Sequence, residues 1–453
     1  MSTIAAIATP HAVGGISVIR ISGENALSMA EKVFKPAGKK AVFAMKGYTC
    51  AYGDIYGGGE KLDDGVLTVF RAPKSYTGED VAEISCHGGL FITKRVLQAV
   101  LEAGAVPAQA GEFTRRAFLN GKMSLTQAEA VMDVISSQGE QALRSALALR
   151  EGALFSRIRV ITGKLLTLLG ELGAWVDYPE EDIPAVEEES LQSSVSEAAS
   201  ALEALLSTYE SGKILREGIP TVIAGKPNVG KSTLMNRLSG YERSIVTDIA
   251  GTTRDVVEES VRLGDMVLRL SDTAGIRDTS DAVESVGVRL AYKKLEEAQL
   301  VLAVFDNSEP LSEEDKALLH TLSGKHAVAL LNKSDRPARL EKHILSGHFE
   351  HLVEISARDG EGLETLKQVL QKIFALDQLD SSSGVLANER QKLCARQALA
   401  SLKEALTALS MGETLDAVTV LIDEAAASLL ELTGERTTQA VVDEVFSHFC
   451  VGK

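Results

Sequence analysis

A glycine-rich loop at residues 225–232 gives the strongest chemical signal in the chain. It has the sequence Gly-Lys-Pro-Asn-Val-Gly-Lys-Ser and fits the pattern G-x-x-x-x-G-K-[ST]. Its glycines let backbone N–H groups face phosphate oxygens, and a helix predicted to follow adds positive potential at its N-terminus. Lys231 can neutralise charge on the β- and γ-phosphates, and the Ser232 hydroxyl can ligate Mg²⁺. The loop therefore predicts a nucleoside triphosphate site.

A second motif indicates which base is bound. The tetrapeptide Asn332-Lys333-Ser334-Asp335 directly follows the predicted strand 326–331 and matches the N-K-x-D pattern. The Asp335 carboxylate can accept hydrogen bonds from guanine N1–H and from the exocyclic amine together. Adenine offers neither donor in that geometry, so ATP would leave a buried carboxylate unpaired. Ser356-Ala357-Arg358, after the next strand, resembles a further guanine contact. GTP is the predicted nucleotide.

Two further motifs lie between the phosphate loop and the guanine motif. Asp272-Thr273-Ala274-Gly275 ends the predicted strand 266–271 and has the D-x-x-G pattern of a switch II loop. Asp272 is expected to hold Mg²⁺ through water, and the Gly275 N–H to sense the γ-phosphate. Thr253, within residues 251–255, is the expected switch I hydroxyl on Mg²⁺.

The residue that positions the attacking water is not settled by these motifs. Ras-type GTPases place a glutamine after D-x-x-G, but this chain has Ile276 there, which cannot hydrogen-bond water. The nearby acidic residues are Asp278, Asp281 and Glu284. The residues alone leave all three open.

Amino-acid composition and hydrophobic pattern change along the chain, which predicts a multidomain protein. Residues 1–118 combine short apolar runs, glycine clusters and a helix at 91–101, which is typical of an α+β domain. Residues 119–215 and 380–453 are rich in Ala, Leu and Glu and read as two halves of one all-α domain. The predicted helix 187–210 is expected to end at Gly212.

Between the helical halves lies a segment in which strands and helices alternate. Residues 216–379 therefore predict an inserted Ras-like α/β P-loop domain with a mainly parallel sheet and helices on both faces. The strands 256–262 and 266–271, joined around Gly264, are expected to pair as an antiparallel hairpin at one edge.

Composition excludes several classes of protein. The chain has 453 residues and a net charge of −16, whereas proteins that wrap nucleic acid nonspecifically are usually basic. No run approaches about 20 apolar residues, and the N-terminus lacks the basic residues of a signal peptide, so neither a membrane span nor secretion is expected. The cysteines form no metal or disulfide pattern, which favours the reducing cytoplasm; they are Cys50, Cys86, Cys394 and Cys450.

Motifs outside the nucleotide site point to one family. The chain resembles the MnmE (TrmE) family of tRNA modification GTPases over its whole length. The matching segments are Ile19–Gly23, Tyr76–Asp80 with Glu83, His87–Gly89, Gly111–Phe113, Arg116–Lys122, Gln127–Ala130 and Phe449–Lys453.

The resemblance implies a second ligand site in the N-terminal domain, for a tetrahydrofolate one-carbon donor in its 5,10-methylene or 5-formyl form. The matching positions are Arg20, Glu83 and Lys122, with Lys453 nearby. A folate has a glutamate tail that suits a cation and a pterin whose N–H donors suit a carboxylate. Taken singly, each of these side chains is as well explained by a surface ion pair.

The resemblance also implies how GTP is hydrolysed. Potassium would promote the reaction, with oxygens from Asn228, Thr247, Ile249 and Thr252 holding K⁺ where it can do the electrostatic work of an arginine finger. Glu284 matches the glutamate that orients water, and Lys231 and Thr253 complete the catalytic set. Ser232 and Thr253 would hold Mg²⁺. The residues expected around GTP are Asn228, Val229, Gly230, Lys231, Ser232, Thr233, Thr247, Asp248, Ile249, Ala250, Gly251, Thr252, Thr253, Asp272, Thr273, Ala274, Gly275, Asn332, Lys333, Ser334, Asp335, Ser356, Ala357 and Arg358.

The reaction implied by the resemblance is installation of a carboxymethylaminomethyl or aminomethyl group on C5 of the wobble uridine of certain tRNAs. It would need an FAD-containing partner, MnmG (GidA), in a heterotetramer or larger complex. Members of the family form homodimers through their N-terminal domains, with the G domains facing each other. The GTPase cycle would control the chemistry, while GTP would donate no atoms to the product.

One alternative is a ribosome-assembly or signalling GTPase of the same superfamily, which the nucleotide motifs alone permit. Such a protein would be expected to carry a basic RNA-binding module with a G-x-x-G loop, and residues 1–118 match the folate domain instead. Arg115 and Arg116 are candidate tRNA contacts, with structural ion pairs as the alternative.

Two cysteines invite a chemical reading. Cys450 fits the prenylation pattern badly because Gly452 and Lys453 follow it. It is expected near the folate, where it is either a reactive thiol or a buried structural one. Cys86 and His87 are adjacent, but two neighbouring ligands alone make a poor metal site.

Overall fold

The fold is known from a computed structural model that describes residues 1–38, 41–177, 188–241, 259–264, 266–271, 295–322, 326–374 and 382–453. Contacts divide these residues into two compact units. The first unit combines the described residues of 1–132 with 426–453, and the second comprises the described residues of 133–425. Within the described residues, no helix is both long enough and apolar enough to cross a bilayer.

The first unit contains a seven-stranded sheet in the order β3-β4-β5-β6-β2-β1-β7. Neighbouring strands are antiparallel except for β1 and β7, which are parallel. The strands are β1 (Ile4–Ile7), β2 (Ile16–Ser22), β3 (Phe34–Pro36), β4 (Thr49–Gly57), β5 (Glu60–Phe70), β6 (Val81–His87) and β7 (Val106–Pro107).

Alternation along the strands separates a buried face of this sheet from an open one. In β6, Ala82, Ile84 and Cys86 are buried in the core, while Glu83 is partly exposed and His87 exposed. The two-residue period of a strand accounts for this pattern. Helices α1 (Ala26–Val33) and α2 (Leu90–Glu102) cover the buried face with apolar side chains. The helix predicted at 91–101 is thus confirmed as α2.

The two sequence segments of the first unit meet in a small apolar cluster. Phe118 and Leu125 pack there with Val442, Phe446 and Phe449. The helices of this region are α3 (Glu112–Leu119), α4 (Leu125–Ser136), α14 (Leu415–Thr433) and α15 (Gln439–Ser447).

The second unit contains a six-stranded sheet in the order β13-β12-β11-β8-β10-β9. All neighbouring pairs are parallel except β9 and β10, which form the antiparallel edge hairpin predicted from the sequence. The mainly parallel sheet is likewise confirmed. The strands are β8 (Ile219–Ala224), β9 (Glu259–Leu263), β10 (Met266–Ser271), β11 (Leu300–Asp306), β12 (Ala327–Asn332) and β13 (His351–Glu354).

Apolar cores lie on both faces of this sheet, which is typical of a parallel sheet covered by helices. All seven residues of β11 are buried. Its Leu300, Leu302 and Val304 join one core, and Val301 and Phe305 join the other. The helices of this part are α9 (Lys231–Tyr241), α10 (Glu313–Thr321), α11 (Lys342–Ser346) and α12 (Leu363–Ile373).

Long helices make up the rest of the second unit. They are α5 (Glu140–Glu151), α6 (Ala153–Asp177), α7 (Glu188–Leu206), α8 (Tyr209–Glu217) and α13 (Glu389–Met411). The prediction that Gly212 ends a helix is wrong, because Gly212 lies inside α8. A Cβ at this position would collide with the Leu386 carbonyl oxygen, so the glycine permits close packing of α8 against the chain that leads into α13.

Candidate functional site

The phosphate loop joins the end of β8 to the start of α9. Asn228 adopts a left-handed conformation (φ 61°), which asparagine tolerates better than most residues. The Lys231 ammonium donates hydrogen bonds of 2.8 Å to the carbonyl oxygens of Gly225 and Lys226. Ser232 is exposed in the first turn of α9. A cation, a hydroxyl and a helix N-terminus are therefore gathered at one point, which fits a Mg²⁺-bound polyphosphate.

A buried ion pair ties this loop to α10. Lys226 Nζ lies 2.9 Å from Asp315 Oδ2, and the Asp315 side chain is only 3% exposed. Burial on its own would lower the pKa of Lys226, but the bond to Asp315 outweighs it and raises the pKa. Ser312 caps the same helix and bonds the same carboxylate. The loop is thus held from outside the nucleotide site.

Asn332 links the phosphate loop to the loop expected at the guanine base. Its side-chain amide donates to the Val229 carbonyl oxygen at 2.7 Å, and its Oδ1 accepts from the Ala357 backbone N–H at 2.9 Å. Asn332 is 3% exposed. A buried amide whose donor and acceptor are both satisfied holds the two loops in a defined arrangement.

The rest of the predicted guanine motif clusters around this asparagine. Lys333 has a left-handed backbone (φ 64°) and its ammonium pairs with Asp306. Burial alone would raise the pKa of Asp306, but the bonds from Lys333 and Ser308 outweigh it and lower the pKa. The Ser356 hydroxyl lies 3.3 Å from Asp335 Oδ1 and 2.7 Å from Asp359 Oδ2, and its single proton is shared between these two acceptors. The structure therefore brings the two guanine motifs together.

Other expected nucleotide ligands lie outside the described residues. These are the switch I residues 247–253, the switch II residues 272–275 and the candidate base Glu284. One contact that the motifs do not reveal is Arg237, whose guanidinium binds the Ala357–Arg358 segment. No sequence signal singles it out, since an arginine in a helix is usually solvated.

A second group of polar residues lies on the open face of the seven-stranded sheet. Arg20 and Glu83 are direct neighbours on β2 and β6, and Arg20 Nε lies 2.7 Å from Glu83 Oε1. The guanidinium carbon of Arg20 is 5.7 Å from the Tyr76 ring centroid and 5.6 Å from that of Phe113. Arg20, Glu83 and Tyr76 are partly exposed here, whereas the Phe113 ring is fully buried.

Residues from the far end of the sequence complete this group. Arg20 donates to the Gly452 carbonyl oxygen at 3.3 Å. The Phe113 N–H donates to the Lys453 carbonyl oxygen at 3.2 Å, and the Gly111 N–H to that of Cys450 at 3.3 Å. Cys450 itself is partly exposed. The segment 449–453 is therefore held beside Arg20 largely by its backbone.

Lys122 lies on a neighbouring loop, where its ammonium donates to the Pro73 carbonyl oxygen at 3.0 Å. The loop before β6 is held by Arg116, which is 4% exposed and binds the carboxylates of Glu79 and Glu112. Arg115 pairs with Asp443 at 2.9 Å. The structural ion pair, rather than a free cation for tRNA, is thus the arrangement seen at both arginines.

The neighbours Cys86 and His87 point to different surroundings. Burial raises the pKa of the Cys86 thiol to about 11. The exposed His87 ring bonds Asp63, with Nδ1 to Oδ1 at 2.7 Å, and this hydrogen bond raises the pKa of His87. Cys86 therefore belongs to the core of the sheet and His87 to its exposed surface.

Two family models and full-length curated relatives match this chain. Residues 3–122 match the family model described as "GTP-binding protein TrmE N-terminus", and residues 125–450 match "MnmE helical domain". A curated tRNA modification GTPase MnmE from Clostridioides difficile (strain 630) is 42% identical over 454 residues, covering 100% of this chain and 99% of the relative. A curated tRNA modification GTPase MnmE from Lactiplantibacillus plantarum is 41% identical, and the match covers 100% of this chain and 98% of the relative.

Solved structures also match part of the chain. The G domain of the Thermotoga maritima FeoB iron transporter is 25% identical, with a TM-score of 0.26, and covers 34% of this chain and 97% of that one. Era in a complex with MgGDPNP and 16S ribosomal RNA is 21% identical, with a TM-score of 0.27, and covers 51% and 98%. The full-length matches at about 40% identity and the two family models show that the chain belongs to the MnmE family of tRNA modification GTPases.

Proposed function

We propose that this protein is a K⁺-stimulated GTP hydrolase that acts in tRNA modification. With an FAD-containing partner, MnmG, it adds a carboxymethylaminomethyl or aminomethyl group to C5 of the wobble uridine of certain tRNAs. The added carbon comes from a tetrahydrofolate one-carbon unit. The observation that carries the proposal is the presence in one chain of the Asn332-linked nucleotide loops and the Arg20–Glu83 pair.

At the nucleotide, this chain's residues bind, orient and neutralise. The Lys231 ammonium would leave the loop carbonyls to bind phosphate oxygens, and Ser232 with Thr253 would hold Mg²⁺. Asn228, Thr247, Ile249 and Thr252 would hold K⁺, whose charge would offset the charge that develops near the bridging oxygens. Glu284 orients the attacking water. Asp335 reads the base, with the Ser356 hydroxyl 3.3 Å from its carboxylate.

At the sheet face, the chemistry of the residues fits a folate. The Glu83 carboxylate suits the N–H donors of the pterin, and the partly exposed Tyr76 suits the flat faces of its rings. Lys122 suits a carboxylate of the glutamate tail, while Arg20, whose Nε lies 2.7 Å from Glu83 Oε1, lies at the pterin end. The carbonyl oxygen of Gly452 adds an acceptor beside Arg20. The folate supplies the one-carbon unit, while these residues hold it and fix its orientation.

The assembly in this proposal is a homodimer through the N-terminal domains, with facing G domains, that joins MnmG in a heterotetramer or larger complex and binds tRNA. GTP hydrolysis then acts as a timing step and contributes no atoms to the modified base. The protein works in the cytoplasm, in keeping with few and widely spaced cysteines that make no disulfide pattern in the sequence.

The potassium site is tested by GTP turnover of the purified chain in KCl and in NaCl at equal ionic strength. We expect strong stimulation by K⁺ alone. Asn228→Ala, which removes a side-chain oxygen, should abolish most of this stimulation while leaving GTP binding within a few-fold. Equal and slow rates in both salts would contradict the potassium mechanism and favour a GTPase that needs a separate activating protein. Tight rRNA binding without folate binding would favour a ribosome-assembly role.

The folate site is tested by Gly452→Ala. Gly452 has a φ of 101°, and a Cβ there would collide with the Ile7 carbonyl oxygen, so the segment 449–453 should leave its place beside Arg20. We expect affinity for 5-formyltetrahydrofolate, measured by calorimetry, to fall at least about tenfold. The folate would lose hydrogen bonds to the Gly452 carbonyl oxygen and to Lys453 together. GTP binding should not change. Gly170→Ala in α6, where a Cβ meets nothing, is the matched control. Unaltered folate affinity in Gly452→Ala would remove this segment from the site.

A further inference from the structure

Helix α9 touches both ends of the nucleotide site. It begins at Lys231, in the phosphate loop, and carries Arg237 six residues later, about 9 Å along the helix axis. Arg237 Nε donates to the Ala357 carbonyl oxygen at 3.3 Å, and a terminal nitrogen of the same guanidinium donates to that of Arg358. One side chain thus ties the phosphate-loop helix to the segment after β13.

The segment after β13, residues 356–361, makes hydrogen bonds within itself and is also bound by residues from other elements. Within it, the Gly360 N–H donates to the Ser356 carbonyl oxygen at 2.7 Å, and the Ser356 N–H to that of Glu361 at 3.1 Å. These bonds shape the turn without fixing its orientation in the domain. The fixing contacts come from two sides, since Asn332 accepts from the Ala357 N–H and Arg237 binds the carbonyls.

Because the peptide is planar, the bond from Arg237 to the Ala357 carbonyl oxygen also fixes the direction of the Arg358 N–H. In the Ala357–Arg358 peptide, the carbonyl oxygen and the Arg358 N–H point in opposite directions. The bond from Arg237 to the Ala357 oxygen therefore directs the Arg358 N–H away from α9. Within the part of the chain that the structure describes, this N–H makes no hydrogen bond, whereas the Asp359 N–H bonds the Ser356 hydroxyl at 3.3 Å.

We propose that Arg237 is a positioning residue for guanine selection, which holds the Arg358 N–H toward the carbonyl oxygen O6 of the base. The inference rests on the guanine site proposed above. Guanine presents an acceptor at position 6, while adenine presents an amine donor there. A fixed N–H at this place favours guanine and opposes adenine. Asp335 reads a different edge of the base, so two independent contacts select the nucleotide.

The two contacts can be separated with GDP analogues. In 6-thio-GDP a sulfur, a weak acceptor, replaces O6, while N1–H and the amine remain. In IDP the amine is missing, while O6 and N1–H remain. The ratio of Kd for 6-thio-GDP to Kd for GDP reports the contact to O6, and the ratio for IDP reports the contact to Asp335.

We expect Arg237→Ala to weaken GDP binding about tenfold, the effect of losing about one neutral hydrogen bond and the order of its loop. The 6-thio-GDP ratio should fall toward one, and the IDP ratio should stay as in the unaltered protein. Lysine has a single ammonium in place of the forked guanidinium. The 6-thio-GDP ratio of Arg237→Lys should therefore lie between those of Arg237→Ala and of the unaltered chain. Asn236→Ala, an exposed neighbour on α9, is the matched control and should behave as the unaltered chain.

Each result decides the matter. An unchanged 6-thio-GDP ratio in Arg237→Ala, whether or not GDP binds more weakly, would overturn the proposal, because a merely structural role lowers all affinities alike. If circular dichroism shows that Arg237→Ala does not fold, the ratio in Arg237→Lys decides instead, and an unchanged value there has the same meaning. Failure of the unaltered chain to bind GDP would instead contradict the guanine site itself.

Discussion

Asp335→Asn should lower affinity for GTP roughly 100-fold or more and raise affinity for xanthosine triphosphate. The carboxylate can accept from both guanine N1–H and the exocyclic amine, and an amide offers a donor where one of these acceptors is needed. Loss of a hydrogen-bonding group that a site uses to select its substrate has effects of this size or larger. Xanthine has a carbonyl oxygen in place of the amine, so the new amide donor finds an acceptor there.

The measurement is equilibrium binding of GTP, XTP and ATP to both proteins. Binding of XTP by Asp335→Asn serves as the internal control, because it shows that the loops held by Asn332 remain in place. The Ser356 hydroxyl can bond an amide oxygen as it bonds the carboxylate, so the local structure should persist. An unchanged preference for GTP would count against the guanine site.

Glu284→Ala should lower GTP turnover about 100-fold or more while GTP binding stays unchanged. Ile276 cannot orient water, and loss of a water-positioning group acts on the transition state and not on the bound nucleotide. The readouts are single-turnover hydrolysis in KCl and Kd for a fluorescent GTP analogue.

Asp278→Ala and Asp281→Ala are the matched comparisons for Glu284→Ala, because the sequence alone leaves all three acids open. We expect both to hydrolyse GTP within a few-fold of the unaltered rate. A normal rate in Glu284→Ala, together with a large loss in one of the aspartate variants, would transfer the role to that residue.

Local patterns predicted those elements whose own residues determine them. The helix expected at 91–101 is α2 because its apolar positions recur at three and four residues, and the edge hairpin of β9 and β10 follows from two apolar runs with Gly264 between them. The expectation that Gly212 ends a helix is wrong because the glycine serves close packing of α8 against Leu386, which lies far away in the sequence. Propensity describes a residue's own preferences, whereas packing overrules them.

The same distinction applies to the sites. Asn332, Asp335 and Lys231 could be predicted because each follows a buried strand within a short motif whose chemistry is local. The role of Arg237 could not be predicted. Its partners are backbone carbonyl oxygens about 120 residues away, and every residue type carries such an oxygen, so the sequence does not mark them. The family resemblance implied that Lys453 lies near Arg20, whereas the hydrogen bond from Arg20 to the Gly452 carbonyl oxygen was not predicted, since no spacing rule connects residues 432 positions apart.

The first unit, assembled from residues 1–132 and 426–453, has a consequence for synthesis on the ribosome. Chains grow at about 5–20 residues per second, so roughly 15–60 seconds pass between completion of the first segment and of the second. During that interval Arg20 lacks Gly452, and Phe118 lacks the apolar partners from the C-terminal helix α15. Throughout that interval, the open face of the N-terminal sheet therefore lacks its contacts with the segment 449–453.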